Sequence, residues 1–561
     1  MKNKFWVRSV SLLLLMAVLI SSAVILSGCN DTSTSATSDI KVQTISLRGI
    51  KEKGTTDESI ALVEKAMNKI TKSLYNIRVV LELYTEDEYY DVLEKTMTQR
   101  ADIVAKEKAE ADAIKAAKES EAKAAKASAA LTSNNSHWVK PATTEAVSVE
   151  ETQRTTIDEN GKVQVLYPDL ETAQIDIIYL GGYDRYTDYV QRELLTSLDE
   201  YLSGTFKSLY KYINSIFLNA AKLDTGSYAV LNSHSLGDSK YLVVDKELAT
   251  KYGFQESDFS TAANCEKFLA QVASGETGIV PFYAQDTSVP AYAYLFGEDV
   301  MIGGYIPPKT KSDIAIRPRS LMLDTNKYTE HIITMDNYRK AGYLRTELAE
   351  GQKYAAGIIE SNEVDIKAMK DQYYTVLIES PMATRNKLYS SMFAISSYSE
   401  HSEAAMQVIS LLNTNEEFRN LFQYGIEGTH YELVDGKVSR LRSDYMMDIN
   451  KTGNVFLAHP EEYMNANEIE VGKAQNVIAV MDPYMNFTFS EEKYADDIAE
   501  VKRISATLFE GLKTTDNVAA YVEYARGVID GNAAFQHLTD ADDENSLLSE
   551  YLKWQEQNFK A

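Results

Sequence analysis

The chain has 561 residues, a formal net charge of −25 and 44% hydrophobic residues. This length is too great for one hydrophobic core and suits two domains of ordinary size. Acidic residues are spread along the whole sequence, so the surface repels nucleic acid and anionic lipid, and both are excluded as electrostatic partners.

The first residues have the pattern of a bacterial secretion signal. Three basic residues precede an apolar stretch at residues 11–25, which is too short and wrongly flanked for a stable transmembrane helix. The motif Leu26-Ser27-Gly28-Cys29 follows and resembles the bacterial lipoprotein box. This resemblance implies a signal peptide at residues 1–28, cleavage before Cys29 and acylation of its thiol. We therefore expect an extracytoplasmic protein that is attached to the cell membrane by a lipid anchor.

The segment after the anchor and the second cysteine have simpler interpretations. Residues 29–39 are rich in Ser and Thr and poor in apolar residues, which is typical of a flexible tether. Cys265 is the only other cysteine. An acylated Cys29 leaves it no disulfide partner, so we predict a small buried apolar residue without a chemical role.

The first folded segment is predicted to be a β-α-β unit. Apolar residues alternate over residues 40–47, and this strand ends at Arg48-Gly49. A capping-box spacing at Thr55 and Glu58 starts a helix whose apolar residues recur at helical intervals. A second alternating strand covers residues 77–83. The helical crossover between the two strands implies that they pair in parallel.

The composition changes sharply at residue 101. A helix is predicted over residues 86–100, and residues 101–130 are almost entirely Ala, Lys, Glu, Asp and Ser without an apolar stripe. Strong helix formers without such a stripe predict a helix that projects into solvent. Residues 131–161 are polar and rich in turn formers. We interpret residues 101–160 as a helical insertion that the core tolerates, and an arm that docks a partner is the alternative.

The rest of the chain alternates between strand and helix patterns, which predicts an α/β architecture. The predicted strands lie at residues 175–180, 228–233, 241–244, 373–379 and 392–396. The predicted helices lie at residues 187–202, 290–296, 336–350 and 401–412, with three further helical segments after residue 494.

Two segments carry a resemblance to a known family. Residues 175–200, IDIIYLGGYDRYTDYVQRELLTSLDE, resemble the first lobe of extracellular solute-binding proteins of the maltose-binding type. Residues 391–431 are similar to a sugar-transporter-associated lipoprotein branch of that group, most clearly in the run YGIEGTHY at residues 424–431. The resemblance covers most of the mature chain in order, except the insertion.

This resemblance implies a two-lobed periplasmic-binding-protein-like fold with a hinge, to which this chain adds the helical insertion. The hinge crossings are expected near residues 235–241 and 380–389. The implied lobe boundaries are residues 40–236 and 385–450 for lobe I, and residues 237–384 and 451–561 for lobe II with its C-terminal helices.

The expected ligand site lies at the carboxyl ends of the parallel strands, where open α/β sheets bind their ligands. Arg48 and the loop of Tyr183 both leave such strand ends, so we expect them to face one crevice. The resemblance implies that Asp184 and Arg185 bond sugar hydroxyls, with a surface ion pair as the alternative. It also implies that Tyr292 and Tyr484 pack on sugar rings, with plain core positions as the alternative. Both are tyrosines where the family usually has tryptophan.

No pattern indicates an enzyme. The sequence contains no Gly-x-Ser-x-Gly elbow, His-Glu-x-x-His pair, Walker loop or Gly-x-Gly-x-x-Gly turn. None of its seven histidines lies three or four residues from another, so no helix-borne metal pair exists. We therefore predict no catalytic residue, no metal and no cofactor.

The predicted function is the capture of a small solute, foremost a carbohydrate, and its delivery to the permease of an ABC importer. Two alternatives stay open. One is a receptor for peptides or other polar solutes, and the other is a surface lipoprotein that acts as an adhesin, a sensor or a hydrolase.

Overall fold

The computed structural model describes residues 42–129, 154–157, 163–166, 172–223, 225–296, 302–308 and 325–558. The predicted signal peptide, Cys29 and the tether lie outside these ranges. No helix within them combines the length and the apolar character that a bilayer crossing requires.

The described residues form an α/β fold with twenty strands and seventeen α-helices. The strands are β1 (Gln43–Ile50), β2 (Ile77–Tyr84), β3 (Arg154–Ile157), β4 (Val163–Leu166), β5 (Ile177–Leu180), β6 (Lys222–Leu223), β7 (Gly226–Ser227), β8 (Ala229–Leu231), β9 (Ser239–Asp245), β10 (Val280–Ala284), β11 (Tyr292–Tyr294), β12 (Gly303–Tyr305), β13 (Leu344–Arg345), β14 (Tyr354–Ser361), β15 (Tyr373–Glu379), β16 (Met382–Ala383), β17 (Met392–Ile395), β18 (Tyr431–Val434), β19 (Lys437–Arg440) and β20 (Val480–Met481). The α-helices are α1 (Asp57–Tyr75), α2 (Glu86–Ala129), α3 (Tyr183–Gln191), α4 (Asp199–Ser203), α5 (Ser215–Ala220), α6 (Lys246–Lys251), α7 (Glu266–Gly275), α8 (Thr325–Lys340), α9 (Glu363–Met369), α10 (Arg385–Leu388), α11 (Ser402–Thr414), α12 (Glu416–Tyr424), α13 (Glu468–Ile478), α14 (Ala495–Thr514), α15 (Val518–Asp530), α16 (Ala533–Thr539) and α17 (Leu547–Asn558).

Lobe I is built on a five-stranded sheet, sheet 1, with the order β2-β1-β5-β17-β8. β1 pairs in parallel with β2 and with β5, so the predicted parallel β-α-β unit is confirmed. β17 is antiparallel to both of its neighbours. The central strands β5 and β17 are apolar and fully buried because helices cover both faces of the sheet.

Lobe II is built on a second five-stranded sheet, sheet 2, with the order β13-β10-β14-β9-β15. β10 pairs in parallel with β13 and β14, and β9 is antiparallel to β14 and β15. Each sheet therefore has three parallel strands, one reversed strand in fourth place and a fifth strand that again runs with the first three.

The two antiparallel strands, β9 and β17, each follow a segment in which the chain crosses from one sheet to the other. The first crossing, residues 232–238, leads from β8 of sheet 1 into β9 of sheet 2. The second crossing, residues 380–391, leads from β15 back into β17. Both crossings overlap the segments that were predicted as hinges, and the predicted two-lobed α/β fold is confirmed. A third crossing, residues 479–482, follows α13 and places β20 in parallel beside β16 of the second crossing.

The predicted solvent-exposed helix is present as the continuation of α2. Its first part packs on lobe I through Tyr89, Leu93 and Met97, each at most 2% exposed. Arg100 is the last buried residue of this helix, Ala101, Ile103 and Val104 are half-buried, and from Lys106 to Glu119 every side chain is exposed. At 44 residues α2 is about 66 Å long, so most of it extends away from the sheet.

Three predicted elements differ from the structure. Residues 290–296 form strand β11 instead of a helix, because a Cβ on Gly303 would lie 2.3 Å from the Ala293 carbonyl and glycine alone allows the pairing with β12. The helix predicted at 187–202 ends at Gln191, because Leu195 leaves it to bridge to Ser396. The helix predicted at 336–350 is the end of α8, which stops at Lys340 before a glycine turn.

The burial of the Asp482 carboxyl, in the third crossing, can be tested by its effect on stability. Burial raises the pKa of its carboxyl to about 6, while its Oδ1 accepts a hydrogen bond of 2.9 Å from the Tyr484 amide. A raised pKa means that folding favours the protonated form, so stability is greatest below the unfolded pKa and falls as the pH rises to about 6. We expect Asp482→Asn, which keeps the acceptor, to remove this loss and to be more stable than the parent at pH 7 by about 2–3 kcal/mol. Urea denaturation at pH 4 to 7 measures this, and an unchanged pH profile would contradict it.

Candidate ligand site

The loop that follows β5 depends on two glycines. Gly182 has a φ of +99°, which favours glycine, and its amide donates a 2.7 Å hydrogen bond to the Tyr389 carbonyl of the second crossing. A Cβ on Gly181 would lie 3.0 Å from the Ser390 carbonyl oxygen. The strand end is therefore held against the crossing, and Tyr183, directly after it, begins α3.

Arg185 is fixed at this strand end by a tyrosine that the sequence did not indicate. Its guanidinium lies 3.4 Å from the ring centroid of Tyr90, and its Nη1 donates a 2.8 Å hydrogen bond to the Gly181 carbonyl. A guanidinium has five N–H donors, so this geometry orients the group and leaves donors for a ligand. Burial raises the pKa of Tyr90, although the Arg185 charge opposes this, so its hydroxyl stays neutral and can both donate and accept.

Asp184 occupies the first turn of α3 and is exposed. Neighbouring helix residues point in different directions, and no ion pair between Asp184 and Arg185 is found in the described part of the chain. The structure therefore does not contain the surface ion pair between Asp184 and Arg185 that was the alternative.

Tyr183 connects the loop to the second crossing. Its ring packs edge-on against Tyr389 with the centroids 4.9 Å apart, and the Arg385 guanidinium lies 4.1 Å from its centroid. Arg385 is held in turn by a 2.8 Å hydrogen bond from its Nε to the Met485 carbonyl. Tyr183, Asp184 and Arg185 thus stand together at the carboxyl end of β5, and with Tyr90 they form the lobe I half-site.

The corresponding end of sheet 2 is a cluster of charged residues around Lys240, whose side chain is 11% exposed. Its Nζ lies 2.6 Å from Asp286 and 3.9 Å from Glu379. Burial acts against ionisation of Asp286, but hydrogen bonds from Lys240 and Ser288 outweigh it and lower the pKa of Asp286 to about 2. Glu379 accepts a 2.6 Å hydrogen bond from the Ala291 amide, so the cluster fixes the loop that leads into β11.

Tyr292 follows this loop and lines a cavity of about 170 Å³ in lobe II. The ring of Tyr292 packs with Tyr305 and Tyr328 at centroid distances of 5.7 and 5.5 Å. The cavity has aromatic and aliphatic walls, and His331 and Thr334 of α8 add polar groups to it. Tyr292 is only 7% exposed, so little of its ring is accessible to solvent. We call Tyr292 and this cavity the lobe II half-site.

Arg48 does not lie in this site. β1 continues to Ile50, so Arg48 lies within the sheet and its side chain is 5% exposed. Its Nη2 is 2.5 Å from Glu82, and its Nη1 donates a 2.8 Å hydrogen bond to Thr96. Because these partners fix it in the core of lobe I, we assign Arg48 a structural role instead of the predicted ligand contact.

Tyr484 is also placed in a core. It is 4% exposed and packs against Tyr551 of α17, with the ring centroids 5.3 Å apart. Neighbouring aromatic residues fill the same cluster. Tyr484 is therefore a core residue, which was the alternative, and we do not propose that it contacts the ligand.

The sequence could not have identified Tyr90 and Lys240. Tyr90 lies in a helix whose apolar pattern explains Tyr89, and Lys240 is a single cation in a short strand. Cys265 is buried, as the sequence predicted, and burial raises the pKa of its thiol to about 12. Within the described ranges, no cluster of three or more potential metal ligands is found.

No protein-family model matches the chain. A protein of Streptococcus pneumoniae serotype 4 (strain ATCC BAA-334 / TIGR4), described as a carbohydrate ABC transporter substrate-binding protein, is 22% identical over 345 residues, which cover 57% of this chain and 68% of the relative. This relative confirms the resemblance that the sequence motifs indicated.

Two solved structures are similar over nearly their whole length. The crystal structure of an N-glycan transport solute binding protein from Streptococcus pneumoniae has 16% identity and a TM-score of 0.48, and covers 91% of this chain and 99% of its own. An extracellular solute-binding protein from Bifidobacterium longum subsp. infantis has 13% identity and a TM-score of 0.44, and covers 93% of this chain and 100% of its own.

The buried pair of Arg48 and Glu82 can be tested separately from ligand binding. Burial raises the pKa of Glu82, and the Arg48 charge opposes this. Removal of the cation leaves a carboxylate without compensation, so we expect Arg48→Met to lower the unfolding free energy by about 3 kcal/mol. The double variant Arg48→Met, Glu82→Gln should recover part of this loss, as measured by urea denaturation. If Arg48→Met instead keeps normal stability and weakens ligand binding, Arg48 is a ligand-binding residue.

Proposed function

We propose that this protein is an extracellular solute-binding lipoprotein that captures a carbohydrate between two lobes and delivers it to an ABC importer. The observation that carries the proposal is the lobe I half-site, which stands at the carboxyl ends of parallel strands beside a chain crossing between two α/β lobes. Open α/β sheets bind ligands at such strand ends. The description of the Streptococcus pneumoniae relative as a carbohydrate ABC transporter substrate-binding protein supports the same function.

The chemistry of the lobe I half-site suits a hydroxylated ligand. The Arg185 guanidinium supplies directional donors, the Asp184 carboxylate supplies acceptors, and the neutral Tyr90 hydroxyl supplies both. A tyrosine ring also packs on the apolar C–H face of a sugar. The lobe II half-site adds Tyr292 and a cavity of about 170 Å³, which has room for part of a small solute.

Capture requires that the two half-sites approach one another. A ligand that touches both lobes only in a closed arrangement shifts the population toward it by its difference in affinity for the two arrangements. The crossings at residues 232–238 and 380–391 are the segments about which lobe II rotates. The solute is released unchanged to the permease, so the protein acts without catalysis.

Attachment of Cys29 to lipid would keep the protein beside its transporter. Two acyl chains give durable binding to a bilayer, whereas one chain is marginal. The net charge of −25 gives no electrostatic attraction to anionic lipid, so the acyl chains have to supply the attachment.

Arg185→Ala tests the sugar site. We expect carbohydrate affinity to fall about 10- to 100-fold, because a charge-assisted hydrogen bond contributes about 1.5–3 kcal/mol. The control is Arg192→Ala at the end of the same helix, where the arginine pairs with Asp188 and Glu94 on the surface. The measurement is the shift in melting temperature and the Kd for a ligand found in a panel of mono- and oligosaccharides.

Two outcomes would contradict the proposal. If no carbohydrate in a broad panel raises the melting temperature of the parent, the sugar assignment fails and peptides or other polar solutes become the ligands to test. If Arg185→Ala and Arg192→Ala reduce affinity equally, the half-site is wrongly placed.

Cys29→Ser tests the lipid anchor. Without an acylated thiol, we expect the chain to move from the membrane fraction to the culture medium, while the parent stays with the membrane. Cell fractionation and mass spectrometry of the processed N-terminus measure this. A parent chain that is found free and without lipid would refute the anchor but leave the binding function intact.

A further inference from the structure

One helix, α13 (Glu468–Ile478), packs against the segments where the chain passes between the lobes. It is followed directly by β20, which pairs with β16 of the second crossing. The second crossing is tied to the first by a 2.6 Å hydrogen bond from the Lys387 Nζ to the Leu236 carbonyl. We call α13 the hinge helix, because two neighbouring side chains on it, Gln475 and Asn476, are each 1% exposed and bind different parts of this region.

Asn476 binds the first crossing on the side of lobe I. Its Oδ1 accepts a 3.0 Å hydrogen bond from the Leu236 amide, and its Nδ2 donates a 2.8 Å bond to the His234 carbonyl. Its own carbonyl accepts a 3.1 Å bond from Asn214 of lobe I. Asn476 therefore joins the hinge helix to residues that belong to lobe I or to the crossing itself.

Gly472 allows the first crossing to approach the hinge helix closely. A Cβ at this position would lie 2.9 Å from the Ser235 Cβ and 3.1 Å from its Oγ. Contacts of this kind leave no space for a larger residue, so the crossing lies directly against the backbone of the hinge helix. The crossing and the hinge helix thus form one packed unit.

Gln475 points the other way and binds lobe II. Its Oε1 accepts a 3.2 Å hydrogen bond from the Glu363 amide in the first turn of α9, which has no partner inside its own helix. Its Nε2 lies 3.4 Å from the Ser239 Oγ and 3.5 Å from the Ser361 carbonyl, at the ends of β9 and β14. All three partners move with sheet 2 if lobe II rotates.

The ion pairs near the half-sites do not join the two sheets. Lys240 pairs with Asp286 and Glu379, all within lobe II, and Lys451 pairs at 3.0 Å with Glu86, which follows β2 of lobe I. This contact places Lys451 with lobe I, although the boundary implied by the resemblance assigned residue 451 to lobe II. The hinge helix, by contrast, joins the lobes through a neutral side chain, so a rotation of the lobes does not have to break these ion pairs.

We infer that Gln475 is a positioning residue that holds lobe II in its ligand-free orientation and releases it when the lobes close. The inference rests on the proposed capture by lobe closure, and it adds the contact that sets the balance between the two arrangements. Asn476 keeps the hinge helix on lobe I, and Gln475 is the contact that breaks.

Gln475→Ala tests the inference in the full chain without any ligand. Two fluorophores, attached through unnatural amino acids at positions 72 of lobe I and 267 of lobe II, report the distance between the lobes by energy transfer. We expect the variant to populate the closed distance more than the parent does. Because a larger binding-competent fraction lowers the apparent Kd in proportion, we also expect about 3- to 10-fold tighter binding of a carbohydrate that binds the parent. The matched control is Gln271→Ala, an exposed helical glutamine of lobe II.

The outcomes separate this inference from the proposed function. A distance distribution equal to that of the parent, with or without a lower melting temperature, overturns the role of Gln475. A shifted distribution in a protein that binds no carbohydrate supports the hinge role and refutes the sugar. If Gln475→Ala does not fold, Gln475→Glu is the variant to measure. It keeps the acceptor for the Glu363 amide and removes the donor. We expect it to shift the distance between the lobes in the same direction by a smaller amount.

Discussion

Each sheet takes its fourth strand from a segment that has just left the other lobe, and the rest of the structure depends on this exchange. β9 and β17 run against their neighbours because both crossings enter a sheet at the end where its parallel strands finish. In each sheet the carboxyl ends of the parallel strands therefore lie beside the crossings. Under the proposed function, a solute bound at these strand ends contacts segments next to the crossings, and this would couple binding to rotation of the lobes.

Each sheet has one oriented cation at the carboxyl ends of its parallel strands. In lobe I the cation of Arg185 is stacked on Tyr90, and in lobe II the cation of Lys240 is neutralised by Asp286 and Glu379. Each cation is therefore oriented by partners in its own lobe. What remains available is a set of directional hydrogen-bonding groups and tyrosine rings, which suits a neutral polar solute better than a strongly charged one.

Gln475 and Asn476 bind their partners through neutral hydrogen bonds, and the energy of such bonds fits a reversible motion. A single hydrogen bond of this kind contributes about 0.5–1.5 kcal/mol, whereas a shift from 1:99 to 99:1 requires about 5.5 kcal/mol. The bonds of Gln475 are thus strong enough to bias the lobes and too weak to lock them against a ligand that contacts both. A Cβ on Gly472 would lie 2.9 Å from the Ser235 Cβ, so the first crossing packs closely on the hinge helix.

The sequence by itself determined those features that one segment carries. Alternation and helical spacing predicted the parallel unit of β1, α1 and β2, and the missing apolar stripe predicted the exposed end of α2. The sequence pattern also placed the loop of Tyr183 to Arg185 after a buried strand, and the family resemblance implied the two hinge segments. Only the tertiary structure decided that Arg48 and Tyr484 are core residues, that Tyr90 supports Arg185, and that Gln475 and Asn476 face different lobes. The physical reason is that a pattern along the chain reports which side of an element is buried, but not what it is buried against. Arg48, for example, donates to the Gln174 carbonyl, 126 residues away in sequence, and no local periodicity contains that partner.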